Sequence, residues 1–253
     1  MLNIKEILKL KFSKKERYKK KKIIVEGFNE VHMALKSKFI LNNLIISKNI
    51  FKGDKKKFLK FKKFIIYVSK FIYNKIAYRK NNQGIIGIFK IKKKIFLKEK
   101  YNKFLILENI EKPGNLGSII RSLESVKIID CIIIVNYKDL YNPNIIRASL
   151  GCVFIYPIFI LSFKKILKII KKKKIYLFGT SINKKKSTYL YKINFNKKKF
   201  GIIFGNEHNG ISKIWYKYIN KFINIPMFGR INSLNVSVSV SIIVYEILRQ
   251  FFF

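Results

Sequence analysis

Short apolar runs alternate along this chain with segments whose apolar residues recur at helical spacing. A run of roughly 4–8 apolar residues is typical of a buried strand, and recurrence every third or fourth position is typical of an amphipathic helix. Strands are predicted at residues 23–27, 44–47, 64–68, 84–89, 104–107, 128–135, 151–155, 175–178 and 200–204. Helices are predicted at residues 4–12, 28–37, 118–126, 142–149 and 163–173. This alternation predicts the α/β class, with a mostly parallel sheet covered on both faces.

A lysine-dense segment at residues 90–103 divides this pattern into two parts. The apolar runs before it, with the helices between them, form a small α/β unit, and the second part restarts with the run at 104–107. We therefore predict one domain at residues 1–98 and another at residues 99–253. The lysine-dense segment is either a solvated linker or a stretch that becomes ordered when RNA binds.

A Val-Ser repeat near the C-terminus fits two structures. Its strict alternation is typical of a strand, and valine favours strands. Yet Leu234, Val238 and Ile242 also lie on one helical face, and either Ser233 or Asn235 can serve as the N-cap of a helix. Residue propensity alone favours the strand.

Composition adds a large positive charge. The chain has 253 residues with Lys+Arg 55 against Asp+Glu 13, a net charge of +42, and its hydrophobic content of 49% excludes a disordered chain. This charge indicates a polyanionic partner, either nucleic acid or an acidic membrane, and we favour RNA or DNA. Only six of the basic residues are arginine, and Ile, Lys, Asn, Phe and Tyr are abundant, so bias towards AT-rich codons also raises the lysine count.

Neither a metal site nor a membrane span is predicted. Cys131 and Cys152 lie in apolar surroundings without paired spacing, as expected of core residues in a reducing compartment. His32 and His208 are far apart, and no Cys/His cluster has metal-ligand spacing. Lysines interrupt every apolar run before it reaches the roughly 18 residues of a membrane helix, and a signal peptide is not evident. We expect a cytoplasmic protein.

The loop at residues 204–212 is the first candidate site. It follows a predicted strand and precedes residues 211–219, whose spacing predicts a helix. Gly205 and Gly210 flank the lone carboxylate of Glu207. Glycines let a ligand approach the backbone, and open α/β sheets bind ligands at the carboxyl ends of their strands. The alternative is an ordinary turn with a helix cap.

Three segments in order place this loop in a wider pattern. They are Asn115-Leu-Gly-Ser-Ile-Ile-Arg121, Phe204-Gly-Asn-Glu-His-Asn-Gly-Ile-Ser212, and Ile225-Pro-Met227 followed by Ser233-Leu-Asn-Val-Ser-Val238. Over about residues 102–250 they resemble the motifs of the SpoU-type (TrmH-like) RNA 2′-O-ribose methyltransferases of the SPOUT class. The N-terminal half is similar to the small α/β substrate-binding domain common in that family.

The resemblance implies a fold and its ligands. It implies a C-terminal SPOUT domain with a deep trefoil knot, which is an exception to the rule that chains avoid threading, and a small N-terminal α/β RNA-binding domain. It implies S-adenosylmethionine (S-adenosyl-L-methionine) as the cofactor, held bent in the knot loops, with no metal. It implies a homodimer with the active site near the interface. It also implies a helix from about Asn235, against strand propensity.

The resemblance further implies roles for five residues. Arg121 matches a proposed general base of the family, but a guanidinium stays protonated in proteins, so the alternative is that it binds a phosphate and orients the ribose hydroxyl. Asn115 would fix the loop and the arginine. Glu207 would hold Arg121 or contact the acceptor nucleotide. Ser233 and Asn235 would hydrogen-bond the acceptor and the loops, or cap the last helix.

The resemblance implies that the cofactor is held largely by backbone groups. Gly205, Ile225 and Leu234 match positions at which the family's loops surround the adenine and methionine parts of the cofactor. The side chains of Ile225 and Met227 would supply apolar walls.

RNA selection is expected in the N-terminal half. The lysines at residues 14, 15 and 19–22, with Arg17 and Tyr18, would track phosphates and stack on a base. Ribosomal RNA of the 23S type is the first choice of substrate and tRNA the second, on family analogy. The competing hypothesis is a non-catalytic RNA-binding or ribosome-assembly protein of the same fold.

Overall fold

The computed structural model describes residues 3–37, 39–79, 81–91, 99–183, 186–196, 198–206 and 209–253. The chain forms two compact units, one of Met1–Lys94 with Asp139–Ile155 and one of Ile95–Lys138 with Tyr156–Phe253. Residues 139–155 thus cluster with the N-terminal part of the chain. The domain boundary predicted after residue 98 and half of the lysine-dense segment lie outside the described residues, so that boundary stays a prediction.

Helices and strands alternate along the whole described chain. The helices are α1 (Ile4–Phe12), α2 (Lys14–Lys20), α3 (Phe28–Lys36), α4 (Lys70–Ile76), α5 (Pro113–Val126), α6 (Pro143–Ala148), α7 (Phe163–Lys173) and α8 (Val236–Phe252). The strands are β1 (Lys22–Glu26), β2 (Ile40–Ser47), β3 (Ile65–Val68), β4 (Ile85–Lys90), β5 (Lys103–Leu107), β6 (Cys131–Val135), β7 (Ile158–Leu161), β8 (Tyr176–Thr180), β9 (Thr188–Tyr189), β10 (Phe200–Phe204) and β11 (Lys221–Asn224). Short 3₁₀ helices include Lys55–Phe64, Cys152–Phe154, Leu190–Lys192 and Lys213–Tyr218.

The first unit is built on a four-stranded sheet in the order β1-β4-β2-β3. Strand β4 pairs antiparallel with both β1 and β2, while β2 and β3 are parallel. Helix α1 has the predicted amphipathic pattern, since Ile7 and Leu10 are buried in the core of this unit beside Ile24 and Ile45. Hydrophobic burial of this helix face is what attaches α1 to the sheet.

Arg17 does not belong to the exposed basic surface that the sequence predicted. Its side chain is buried, donates to the carbonyl of Leu10 over 2.9 Å and forms an ion pair of 2.5 Å with Asp139. A guanidinium engaged in this way cannot also track phosphates, so the proposed RNA contact of Arg17 is wrong. The neighbouring lysines Lys15 and Lys19 are exposed on α2.

The second unit is built on a seven-stranded sheet in the order β7-β6-β5-β10-β8-β11-β9, and its strand pairs are parallel. The predicted parallel sheet is therefore confirmed. Strands β5, β6 and β10 are almost entirely buried, as expected of central strands covered on both faces. Cys131 in β6 and Cys152 are both buried, and burial raises the pKa of the Cys131 thiol. The trefoil knot stays a prediction.

Three local predictions are wrong. Helix α5 begins at Pro113 rather than near Ser118, because proline fits the first helical position, where its missing N–H costs nothing. The strand expected at 151–155 is a 3₁₀ turn instead, since Gly151 has a φ of 81° and the chain curls at Cys152–Phe154. The segment after Ile211 forms only the 3₁₀ helix Lys213–Tyr218.

The Val-Ser repeat is helical, so the structure implied by the family resemblance is confirmed over the strand. Asn235 is the N-cap of α8, and its side-chain oxygen accepts from the Ser237 N–H over 2.9 Å. Helical spacing puts one face of α8 in the core, where the buried residues are Val236, Val240, Ile243, Val244, Glu246 and Ile247. Burial of this face outweighs the strand propensity of valine. In the described part of the chain, none of the helices combines the length and apolar character needed to cross a bilayer.

We predict that Arg17→Ala lowers the free energy of unfolding by about 3 kcal/mol, because it leaves the Asp139 carboxylate without its cation in a largely buried site. Urea denaturation measures this loss. Lys15→Ala is the matched control on the same helix, and its effect should stay within about 0.5 kcal/mol because Lys15 is exposed. Equal effects of the two substitutions would contradict a structural role for Arg17.

Candidate active site

A cavity of about 510 Å³ lies in the second unit at the carboxyl ends of β8, β10 and β11. Its wall is formed by Tyr216 and by residues from four segments, namely 180–183, 204–211, 223–227 and 232–243. Parallel strands end at the same edge of a sheet, so these distant segments converge there. The cavity has the size of sites that hold small molecules or cofactors.

The 204–212 loop closes on itself within this wall. The N–H of Asn206 donates to the carbonyl of Gly210 over 3.0 Å, and the N–H of Gly210 donates back to the carbonyl of Asn206 over 3.0 Å. Gly210 has a φ of 64°, in the region that favours glycine. A Cβ on Gly205 would lie 2.0 Å from the carbonyl carbon of Gly210. Gly205 is therefore required by the close approach of two backbone segments.

Asn206 connects this loop to the loop between β5 and α5. Its side-chain nitrogen donates to the Asn109 carbonyl over 3.1 Å and to a Glu111 carboxylate oxygen over 2.7 Å. Its side-chain oxygen accepts from the N–H of Asn209 over 3.2 Å. The Asn206 amide thus links the 204–212 loop to the loop between β5 and α5 and stabilises its own turn. No role was predicted for this residue from the sequence.

Glu108, directly after β5, makes a second connection to the 204–212 loop. Its carboxylate accepts from the Ser212 N–H over 2.9 Å, the Ser212 hydroxyl over 2.7 Å and the Trp215 indole N–H over 2.9 Å. Its side chain is buried, and Trp215 is fully buried. The sequence analysis also missed Glu108. The signal was a carboxylate placed directly at the carboxyl end of a predicted buried strand.

The first and third sequence motifs meet through two asparagines. The side-chain nitrogen of Asn235 donates to the side-chain oxygen of Asn115 over 3.1 Å. Asn115 lies in the first turn of α5, and Asn235 caps α8 between the cavity residues Leu234 and Val236. This bond ties the first turn of α5 to the start of α8 beside the cavity.

The structure brings most of the predicted site residues together. The lining of the cavity includes Gly205, Ile225, Met227, Ser233 and Leu234, and Ser233 is exposed on it.

Two predicted catalytic residues stand apart from this group. Arg121 is exposed on α5, does not line the cavity, and makes no hydrogen bond or ion pair with any residue in the described ranges. Glu207 lies outside the described residues, so its predicted role stays a prediction.

The described part of the cavity wall carries no charged side chain. Among the residues described there, none is an Asp, Glu, Lys, Arg or His. The Asn224 side-chain nitrogen donates to the Ser181 carbonyl over 2.9 Å, while its side-chain oxygen is buried and has no partner within the described chain. In the same described ranges, no group of three or more His, Cys, Asp or Glu residues could hold a metal ion.

Comparison with protein families gives two matches. Residues 102–245 match the model of the SpoU rRNA Methylase family, and residues 2–87 match that of the MRM3-like substrate binding domain. The first match contains the cavity wall and both asparagines of the Asn115–Asn235 bond.

Similar proteins occur in staphylococci. A protein of Staphylococcus saprophyticus described as a candidate TrmH family tRNA/rRNA methyltransferase is 28% identical over 153 residues, which is 60% of this chain and 60% of that protein. A Staphylococcus epidermidis protein of the same description is 29% identical over 155 residues, or 60% of this chain and 61% of its own. The match thus spans about 60% of the length of these relatives.

Solved structures match nearly the whole chain. The crystal structure of an RNA 2′-O ribose methyltransferase aligns with a TM-score of 0.86 and 27% identity, over 99% of this chain and 96% of that one. An AdoMet-bound rRNA methyltransferase from Sinorhizobium meliloti aligns with a TM-score of 0.84 over 99% of this chain and 95% of that one; at 24% identity it shows the fold alone.

We predict that Gly205→Ala destabilises the protein by about 1–3 kcal/mol, because the added methyl group meets the Gly210 backbone, which cannot rotate away as a side chain would. Gly114→Ala is the matched control, since a Cβ there meets no described atom within 4 Å and the position lies in a helix. That substitution should be neutral or stabilising by less than about 1 kcal/mol. Urea unfolding of both variants tests the difference, and similar stabilities would contradict the steric account of Gly205.

Proposed function

The chain belongs to the SpoU rRNA methylase family, and from that premise we propose that it is an S-adenosylmethionine-dependent RNA methyltransferase that modifies a ribose 2′-oxygen. The observation that carries this proposal is that residues of the second and third motif segments line one cavity. Beside that cavity, the Asn115–Asn235 hydrogen bond ties the first segment to the third. The solved relative of 27% identity, which aligns over 99% of this chain, is described as an RNA 2′-O ribose methyltransferase.

The described cavity wall suits the adenine and methionine parts of S-adenosylmethionine. It is lined by apolar and uncharged polar residues. Ile225, Met227 and Leu234 supply apolar surface for an adenine ring or a methionine side chain. Gly205 brings backbone to the cavity wall.

Methyl transfer leaves two tasks to the protein. When bound, S-adenosylmethionine supplies a methyl group on a positive sulfur that becomes a neutral thioether. The protein must then orient the ribose hydroxyl and allow its proton to leave. We assign the orienting task to Arg121, whose exposed guanidinium can bind a phosphate with two parallel hydrogen bonds. A general-base role is disfavoured because guanidinium stays protonated in proteins.

The two asparagines support Arg121 from a distance. Their hydrogen bond fixes the first turn of α5, the helix that carries the arginine. Ser233, exposed on the cavity wall next to the α8 cap, offers a hydroxyl to the acceptor nucleotide. Glu207 remains a proposed support for Arg121 or for the acceptor.

The first unit is the proposed RNA-binding part of the molecule. Residues 2–87 match a substrate binding domain, and the lysines of α2 are exposed. Such lysines contribute affinity through phosphates rather than sequence selection. Ribosomal RNA is the proposed substrate class, in keeping with the family's description, and tRNA is the second choice because the staphylococcal relatives are described for both.

We also propose a homodimer. Helix α8 buries one face in its own unit but leaves Val238 and Tyr245 exposed by 46% and 52%. Exposed apolar side chains next to a site are suited to contact a second copy.

We predict that the purified protein with S-adenosylmethionine adds 2′-O-methyl groups to rRNA prepared from cells that lack the protein. Mapping 2′-O-methylated positions in total RNA with and without the protein identifies the target and separates rRNA from tRNA. Calorimetry should detect S-adenosylmethionine binding to the wild-type protein. If S-adenosylmethionine does not bind even with RNA present, the protein is not a methyltransferase and the non-catalytic hypothesis replaces this proposal.

We predict that Arg121→Ala lowers kcat/KM for RNA methylation by about 100-fold or more, because the acceptor loses the group that orients it. Binding of S-adenosylmethionine, measured by calorimetry, should not change, since Arg121 does not line the described cavity wall. Arg121→Lys should recover only part of the rate, because lysine lacks the planar fork of arginine. The control is Lys165→Ala, which removes an exposed cation of α7 in the same unit. Near-normal turnover by Arg121→Ala would refute the assignment.

A further inference from the structure

We infer that Glu108 is a positioning residue whose carboxylate holds the end of the 204–212 loop in the shape that binds the cofactor. The inference rests on the proposed function, since it names what sets the affinity of that cavity for S-adenosylmethionine. None of the family motif segments described above contains Glu108, which lies on the loop before α5.

The contacts of Glu108 all run to one short stretch of chain. Three donors, two from Ser212 and one from Trp215, converge on its two carboxylate oxygens at 2.7–2.9 Å. Its own N–H donates to the Phe204 carbonyl over 2.9 Å, at the start of the same loop. Glu108 therefore binds both ends of the loop, Phe204 through its N–H and Ser212 through its carboxylate. Both partners are about 100 residues away in the sequence.

The charge of Glu108 is satisfied without a cation. Within the described chain, no lysine or arginine forms an ion pair with it, although the protein carries a net charge of +42. A buried carboxylate needs its acceptor sites filled, and here neutral donors fill them. These hydrogen bonds fix Ser212 and Trp215 in position, so the carboxylate orders the end of the loop.

The loop that Glu108 holds forms part of the cavity wall. Gly205, Gly210 and Ile211 all line the cavity, and Ile211 directly precedes Ser212. The Asn206–Gly210 bridge closes the first part of the loop, but it does not fix the chain beyond Gly210. The hydrogen bonds from Ser212 to Glu108 provide that second anchor.

Trp215 allows the hydrogen bond to Glu108 to be followed by tryptophan fluorescence. The chain contains one tryptophan, so intrinsic tryptophan emission comes from this position alone. Its indole is fully buried, donates to Glu108, and packs edge-on against Phe163 with ring centroids 4.7 Å apart. Release of the Glu108 hydrogen bond must change the surroundings of the indole, and with them its emission.

The test compares Glu108→Gln with Glu124→Gln in the full chain. The amide that Glu108→Gln introduces would set an N–H₂ donor against the donors of Ser212 or Trp215, so at least one bond is lost. Glu124 is a carboxylate of α5 whose ion pair within the described chain is to the exposed Lys127, so its substitution leaves the contacts of Glu108 intact. Calorimetry with S-adenosylmethionine, tryptophan emission and steady-state kinetics are measured on both variants.

For Glu108→Gln we expect a Kd for S-adenosylmethionine at least 10-fold above that of the wild type, a matching rise in KM, and a kcat within about threefold at saturating cofactor. A general loss of structure would instead lower kcat and the folded fraction together. Tryptophan emission should change in Glu108→Gln and stay that of the wild type in Glu124→Gln. A folded Glu108→Gln protein with the wild-type Kd would overturn the inference.

If Glu108→Gln does not fold, the positioning role of Glu108 is tested with Ser212→Ala instead. Ser212→Ala removes one donor and leaves the Trp215 bond in place, and it should raise the Kd by about threefold. An unchanged Kd in that variant overturns the positioning role. Failure of the wild-type protein to bind S-adenosylmethionine would instead overturn the proposed function, and the emission of Glu108→Gln would still report whether Glu108 orders the loop.

Discussion

The parallel direction of the strands in the larger sheet is the constraint on which the candidate site depends. Parallel neighbours need long crossover connections, so residues far apart in sequence arrive at the same edge of the sheet. Glu108 and Ser212 are 104 residues apart, and Asn115 and Asn235 are 120 residues apart, yet each pair is hydrogen-bonded. The cavity exists because four such segments meet at the carboxyl ends of β8, β10 and β11. The topology of the sheet determines which segments form the cavity wall, and the side chains of those segments determine its chemistry.

The sequence predicts the parts of this sheet that are buried on both faces and fails at its edges. Strands β5 and β10 are continuous apolar runs, because no position on them faces water. Strand β9, at one edge, is two residues long and partly exposed, so it carries no such signal. Strand β7, at the other edge, is a short apolar run that was not identified as a strand from the sequence. Helix α8 shows the opposite case, in which local propensity favours a strand and tertiary burial of one face produces a helix. The family resemblance identified that helix, whereas the residue pattern alone did not.

The residue types that form the site could be predicted from the sequence, but the contacts between those residues could not. The glycines of the 204–212 loop are visible in the sequence. The reason for Gly205 is the Gly210 backbone, which folding brings to within 2.0 Å of the position that a Cβ on Gly205 would occupy. Glu108 and Asn206 were missed because their partners are about 100 residues away. Arg17 was misjudged for the same reason, since a basic run does not show which of its members is buried against a carboxylate.

Arginine usage in this lysine-rich chain supports the proposed role of Arg121. If codon bias raises lysine, arginine should persist where its planar fork is needed. Three of the six arginines are held by carboxylates, since Arg17 pairs with Asp139, Arg79 with Glu30 and Arg249 with Glu246. Arg121, Arg147 and Arg230 form no ion pair among the described residues, and of these three Arg121 follows Asn115 on the helix that adjoins the cavity. Within the described chain its guanidinium is not engaged by a carboxylate. It is therefore available to the RNA phosphate of the proposed function, whose geometry its two parallel N–H donors match.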